Sequence, residues 1–254
     1  MLELKKVTSG CGKSPFLKDI SVSFEKGRFT SVIGPNGSGK STLLKTAVGI
    51  VTPDSGELFA DGESLTKMKH KETARIIAYL SQGKGTPDMT VEQLVLHGRF
   101  PHLGYPRRYT ENDRRAALDA MEKTGVADYA DRSLSSLSGG MRQNVYIAMA
   151  LAQGTDYILL DEPTTYLDIG QQLKLADSVR QLAVSGKTVL LVLHDILLAL
   201  KISDRIAVME NGIISQTGTP DEILASDILR KIYGVGVKTL ETPDGTEYYY
   251  ERSL

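Results

Sequence analysis

Hydrophobic positions change period several times along the chain, and each change marks an element. Leu2 and Leu4, and later Ile20, Val22 and Phe24, alternate with polar residues. This predicts strands with one buried face, separated by a glycine-containing turn at 10–13. Residues 29–33 predict a third strand that runs directly into a glycine-rich loop, after which Leu43, Leu44, Ala47 and Val48 recur at helical spacing. The runs 76–80, 157–160 and 188–193 are almost continuously apolar and are followed by polar or acidic residues, which suits parallel strands covered on both faces. Between them, 91–152 shows helical periodicities around Leu94, 116–121 and 145–151, interrupted by a loop at 99–109. This stretch reads as a helical lobe inserted between core strands. Beyond Asp204, short strands return at 205–209 and 213–216, followed by a helix near 221–224 and a tyrosine-rich strand at 248–250.

At 254 residues, with 41% apolar and 24% charged residues, the chain is expected to form one globular α/β domain rather than two. Thirty basic residues against thirty-one acidic ones give a net charge of -1, which removes the electrostatic basis for general nucleic-acid binding. Apolar runs such as 189–193 fall far short of the roughly 20 residues that cross a bilayer. The first five residues lack a signal-peptide pattern, so a cytosolic location is expected. Cys11 is the only cysteine, which excludes an internal disulfide and a thiolate metal site.

The glycine-rich loop reads Gly34-Pro35-Asn36-Gly37-Ser38-Gly39-Lys40-Ser41, followed by Thr42, and fits the pattern Gly-x-x-x-x-Gly-Lys-Ser. In such a loop, glycines let backbone N–H groups approach phosphate oxygens, and the following helix presents its positive end. Lys40 is placed to neutralise the outer phosphates and Ser41 to offer a hydroxyl to Mg²⁺. The strand at 157–160 ends in Asp161 and Glu162, which suits a Mg²⁺-associated carboxylate beside a water-activating one. Adjacent acids at a strand end are otherwise commonly a solvated turn, and the upstream phosphate loop is what favours chemistry here. Ser138-Gly139-Gly140 opens the apolar helix at 145–151, so Ser138 can cap a helix whose bare N–H groups form a second anion cradle. His194 follows its strand as Asp161 follows its own. His70, His97 and His102 have no metal-ligand spacing and read as surface residues.

Taken in order, GPNGSGKST from Gly34, Gln82 after a strand, LSGGM from Leu137, ILLDEP from Ile158, and His194 closely resemble the ATP-binding cassette family. The resemblance spans nearly the whole chain. It implies a P-loop NTPase fold of the ABC type, with an antiparallel β subdomain and an inserted helical subdomain at approximately 83–155. It further implies ATP and Mg²⁺ as ligands, with Glu162 as general base, His194 and Lys40 on the γ-phosphate, and Ser41, Gln82 and Asp161 around the metal. Residues 138–140 become the signature motif, and Tyr166-Leu167-Asp168 the subunit-contact loop. Ser138 and Gly140 would complete the site of a second copy docked head to tail.

Two positions depart from the family pattern. Cys11 stands where many members carry an aromatic residue that stacks on adenine, so stacking is expected to be weak unless Phe16 supplies the ring. Met141 replaces the usual signature glutamine and lacks its polar contacts.

The segments HGRFPH from His97, ALAQGTDYILLDEPTTYLDIGQQ from Ala150 and GTPDEIL from Gly218 resemble the branch that energises import of iron–siderophores, haem and cobalamin. That resemblance implies integral-membrane permease subunits, indirect service of an extracytoplasmic substrate-binding protein, no nucleic-acid partner, and a peripheral place on the cytoplasmic face of the membrane. The segment 98–109 either docks the permease or is only a flexible surface loop. Competing readings are an importer of another substrate class, or a soluble ABC ATPase of DNA repair or iron–sulfur assembly. The chain lacks the long coiled coils and zinc cysteines usual in the DNA-repair type. A non-catalytic nucleotide-binding regulator is disfavoured by the intact Lys40, Asp161, Glu162 and His194.

Overall fold

The computed structural model describes residues 1–10, 16–83, 85–165, 167–243 and 245–251; the expectations placed on Cys11 and Tyr166 lie outside the described residues. The chain begins with β1 (Leu2–Ser9), β2 (Leu17–Phe24) and β3 (Phe29–Ile33), then α1 (Lys40–Ala47), β4 (Ser55–Ala60) and β5 (Glu63–Ser64). It continues through α2 (His70–Ile76), β6 (Ile77–Leu80), α3 (Val91–His97), α4 (Glu111–Lys123) and α5 (Gly139–Ala152). The second half holds β7 (Tyr157–Asp161), α6 (Ile169–Val184), β8 (Thr188–Val192), α7 (Ile196–Ile202), β9 (Arg205–Glu210) and β10 (Ile213–Gly218). Helices α8 (Pro220–Ala225) and α9 (Ile228–Tyr233) and a hairpin of β11 (Gly236–Thr242) and β12 (Gly245–Glu251) complete the described chain.

Strands β2-β1-β4-β5 form an antiparallel sheet, and β10-β9-β3-β8-β7-β6 a six-stranded one in which only β10 runs antiparallel to its neighbour. Every residue of β3, β7 and β8 is buried, because both faces of the larger sheet are covered. The pleat sends alternate side chains to opposite cores: Val189 and Leu191 of β8 join the core shared with the helices, while Leu190 and Val192 join the one under the antiparallel sheet and α1. Each such aliphatic side chain contributes about 1.5–3 kcal/mol relative to exposure.

Register aligns the strand ends. Leu80 pairs with Leu160, Leu160 with Leu191, and Leu191 with Ser31, forming one row across the parallel part of the sheet. Two residues beyond this row stand Gln82 and Glu162; three beyond it stand His194 and Gly34. Residues far apart in sequence therefore leave the sheet on one edge, the carboxyl edge where open α/β sheets bind ligands.

Three expectations change. Ile76 closes α2 instead of opening a strand, because Glu72 accepts from the Lys69 N–H at 2.8 Å at the start of a helix that runs directly into β6. The segment 99–109 is not simply a loose loop: Phe100–His102 forms a 3₁₀ turn. Arg99 anchors that turn through Asp113 at 2.9 Å and the carbonyls of Ala152 at 2.9 Å and Gln153 at 3.3 Å. Gly98 before it fits because a Cβ there would lie 2.1 Å from the Met149 carbonyl oxygen. His102 is half-buried, its Nε2 2.8 Å from the Gln153 carbonyl, whereas His70 and His97 are exposed.

Candidate nucleotide site

The loop between β3 and α1 is shaped by contacts that only small residues permit. At Gly34 a Cβ would lie 2.3 Å from the Met209 carbonyl oxygen and 2.6 Å from Ser38 Oγ. Gly37 and Gly39 take positive φ values of 78° and 103°. Gly39 is the N-cap of α1, and neither a side-chain cap nor a first-turn acid competes for that helix's leading N–H groups. Lys40 is buried, its Nζ folded back to the carbonyls of Gly34 at 2.8 Å and Pro35 at 3.0 Å. Burial lowers its pKa, against the opposing pull of Glu162 and Asp161.

Ser41, one residue into α1, donates to Asp161 Oδ1 at 2.8 Å, and Tyr79 of β6 donates to Oδ2 at 3.1 Å. Asp161 is 2% exposed, so both oxygens are fixed by partners rather than by water. Tyr79 is a site residue that the sequence reading passed over, because it sits inside an apolar run. Its hydroxyl is held strongly neutral by burial first and by the Asp161 charge second.

Glu162 adopts φ 49°, a left-handed backbone costing about 1–2 kcal/mol. Its Oε1 lies 2.6 Å from His194 Nε2, and its Oε2 accepts from Gln82 Nε2 at 2.5 Å. Asp195 next to the histidine accepts from Leu198 N at 3.0 Å, capping α7 and fixing the turn that carries His194. Glu162 shares a cleft of about 180 Å³ with Asn36, Gly37, Gly39, Lys40, Ser41, Thr42 and Phe16. Phe16 is 52% exposed, with its backbone held close by neighbours: Cβ atoms at Gly39 and Gly212 would lie 3.3 Å and 2.1 Å from its carbonyl oxygen.

The structure thus brings together the phosphate loop, Gln82, Asp161, Glu162 and His194. Ser138, Gly139 and Gly140 stand apart, opening α5 in the helical part. Ser138 caps that helix, accepting from Met141 N at 3.3 Å. Nothing lies within 4 Å of a Cβ built on Gly139, whereas one on Gly140 would sit 2.8 Å from the Gln171 side chain. Of the two glycines, Gly139 faces open space and Gly140 is covered by α6. Asp168 caps α6, accepting from Gln171 N at 2.8 Å.

A family model described as ABC transporter matches residues 17–165. The iron(3+)-hydroxamate import ATP-binding protein FhuC of Bacillus subtilis (strain 168) is 40% identical over 95% of this chain and 91% of its own. The ferric enterobactin transport ATP-binding protein FepC of Escherichia coli (strain K12) is 40% identical over 94% of this chain and 89% of its own. Among solved structures, an inward-facing putative metal-chelate type ABC transporter superposes with a TM-score of 0.86 at 25% identity, covering 100% of this chain and 97% of the other. A dimeric bacterial ABC transporter cassette superposes at 0.75 with 29% identity, over 87% and 99%.

Proposed function

This chain belongs to the ABC transporter family, as an ATP-binding and ATP-hydrolysing protein, and on that premise we propose that it powers import of an iron–siderophore, haem or cobalamin-type substrate. It works on the cytoplasmic face of the membrane beneath a permease that receives substrate from an extracytoplasmic binding protein. The carrying observation is the convergence of Lys40, Ser41, Gln82, Asp161, Glu162 and His194 on one sheet edge. The substrate class rests on the likeness to FhuC and FepC. No helix among the described residues is long and apolar enough to cross a membrane. We read 1–254 as one ABC ATPase domain with its helical subdomain at approximately 83–155. A single buried cluster joining Val91, Met121 and Val145 to Phe29, Leu160 and Leu191 supports this reading.

In the mechanism we propose, the phosphates lie along the N–H groups of residues 34–42, and Lys40 and His194 contact γ-phosphate oxygens. Glu162 takes the proton of the water that attacks in line. Ser41 and Asp161 form a pair of hard oxygen donors 2.8 Å apart, which fits Mg²⁺, with Gln82 as a further ligand. The ion, when bound, screens the charge that grows between the outer phosphates. Ser138, Gly139 and Gly140 serve the phosphates of a second copy, which accounts for their separation from this chain's own cleft.

For the permease, the favoured surface is an apolar groove of about 590 Å³ that includes Ile50, His97, Phe100, Pro101 and Met149. Phe100 and Ile50 are 45% and 57% exposed, and Tyr105 further along the loop is fully exposed. Purification from membranes, with Phe100 and Tyr105 intact or changed to Ser, tests this proposal. Loss of a hydrophobic co-purifying subunit in the Ser variants is expected. A soluble partner retained by both forms would overturn it in favour of an ABC ATPase that works without a membrane.

A further inference from the structure

Gln82 sits between β6 and α3 in a segment that has few means of holding itself in place. Residues 81–86 read Ser-Gln-Gly-Lys-Gly-Thr and offer no apolar side chain to bury. Ser81, Gln82, Gly83, Gly85 and Thr86 are all exposed, and Gly83 turns the chain at φ 65°. Backbone pairing stops at Leu80, opposite Leu160, and resumes at Met89, whose carbonyl accepts from Leu134 N at 3.1 Å.

A tether reaches this segment from α5. The Tyr146 hydroxyl donates to the Gly85 carbonyl oxygen at 2.5 Å. Nothing lies within 4 Å of a Cβ built on Gly85, so the residue is held by its backbone and not by packing at its α-carbon. Tyr146 is 9% exposed, and its neighbours Val145, Ile147 and Ala148 are buried in the core that α5 shares with Leu80 and Leu160. The donor therefore stands on a fixed platform and the acceptor on a surface loop. Burial raises the phenol pKa, so the hydroxyl keeps the proton that it donates. Tyr146 and Gly85 line a groove of about 560 Å³ together with Tyr79, whose own hydroxyl donates to Asp161. Gly85 is three residues from Gln82, whose Nε2 donates to Glu162 Oε2 at 2.5 Å.

We propose that Tyr146 is a positioning residue for ATP hydrolysis: by holding Gly85 it fixes the loop that presents Gln82 to Glu162 and to the metal. The proposal rests on the reading of Glu162 as the base and of Gln82 as its partner. The phosphate loop lies outside this segment, so loosening the tether leaves most of the nucleotide's contacts intact. A displacement of about an ångström at Gln82 instead misaims the carboxylate and slows transfer.

The test uses the full chain with Tyr146→Phe, alone and combined with Gln82→Ala. The substitution removes the hydroxyl and keeps the ring in the core. It is expected to lower kcat for ATP roughly 3- to 10-fold while KM stays within about twofold. Amide exchange at Gly85 and Thr86 should speed up, and in the Gln82→Ala background the same substitution should lower kcat no further. Unchanged kcat, or slowed turnover without faster exchange at 85–86, would overturn the tether. So would an equal proportional loss in the Gln82→Ala background, or a rise in KM that accounts for the whole effect. Wild-type turnover by Gln82→Ala alone would instead overturn the assignment of that glutamine, an outcome separable because it appears with Tyr146 intact.

Discussion

His194 Nε2 and Gln82 Nε2 grip opposite oxygens of Glu162, at 2.6 Å from Oε1 and 2.5 Å from Oε2. The carboxylate is thereby aimed by side chains from the ends of two different strands, in a backbone conformation that glutamate rarely adopts. Replacing it with an amide keeps the size and loses the base. Glu162→Gln is expected to bind ATP near normally while kcat falls about 10²- to 10⁴-fold, read by equilibrium binding beside steady-state turnover. Hydrolysis within a few fold of wild type would remove Glu162 from its role.

Among the described residues that line the cleft, Phe16 is the aromatic one. A ring stacked on a base contributes on the order of 1–3 kcal/mol, so Phe16→Ala should weaken ATP binding by roughly 5- to 150-fold. Inorganic tripolyphosphate, which has no base, should bind equally to both proteins in calorimetry. With this ring in place, Cys11→Tyr is expected to change ATP affinity little. A marked tightening by that substitution would show that position 11 supplies the adenine platform.

The ion pair of Arg99 and Asp113 is nearly dry, with side chains 16% and 8% exposed at 2.9 Å. Burial alone would raise the carboxyl pKa, but hydrogen bonds from Thr110 and the Arg99 guanidinium hold it below the ordinary aspartate range. A depressed folded-state pKa means that this stabilisation is complete above the unfolded value near 3.9 and is lost as pH falls toward the folded one. Arg99→Ala leaves a buried charge and should cost about 3–5 kcal/mol in urea unfolding at neutral pH. Part of that difference from wild type should vanish below about pH 4. A pH-independent difference would assign the effect to packing.

Two glycines of the phosphate loop should separate by substitution. Gly37→Ala meets no atom within 4 Å and pays only for its left-handed backbone, about 1–2 kcal/mol. Gly34→Ala must push β9 and Ser38 aside, since its Cβ would lie 2.3 Å from the Met209 carbonyl. Thermal midpoints are expected to fall far more for Gly34→Ala, and similar midpoints for the two variants would refute the crowding argument.

The phosphate loop, Asp161, Glu162 and His194 were legible in the sequence because each follows a near-continuous apolar strand, and parallel strands with a common register bring such ends together. Tyr79 was not, because a tyrosine within an apolar run reads as packing until its hydroxyl is seen on Asp161. Helix α6, which the sequence reading left unassigned, carries a buried stripe of Leu175, Ala176, Val179, Leu182 and Ala183. The seven residues of α7 are almost wholly apolar, a run too short for periodicity to tell helix from strand. Strand β4 was hidden by Gly56, whose φ of 89° fits a bulge in β1 at Lys6, with the Lys6 carbonyl 2.4 Å from where a Cβ would stand.

The strand order also sets when the site comes into being during synthesis. β3 and β7 do not touch; β8 lies between them and pairs with both. A nascent chain that has released α1 and β7 from the ribosome therefore carries Ser41, in the first turn of α1, and Asp161, at the end of β7, joined by the packing of α1 on β7 but without the strand that sets the register of β3 against β7. Residues 188–192 supply that register when they emerge and enter the gap between β3 and β7. A chain interrupted before β8 lacks both the strand that sets this register and His194, which follows that strand, so its ATP site is incomplete however well its amino-terminal half has folded.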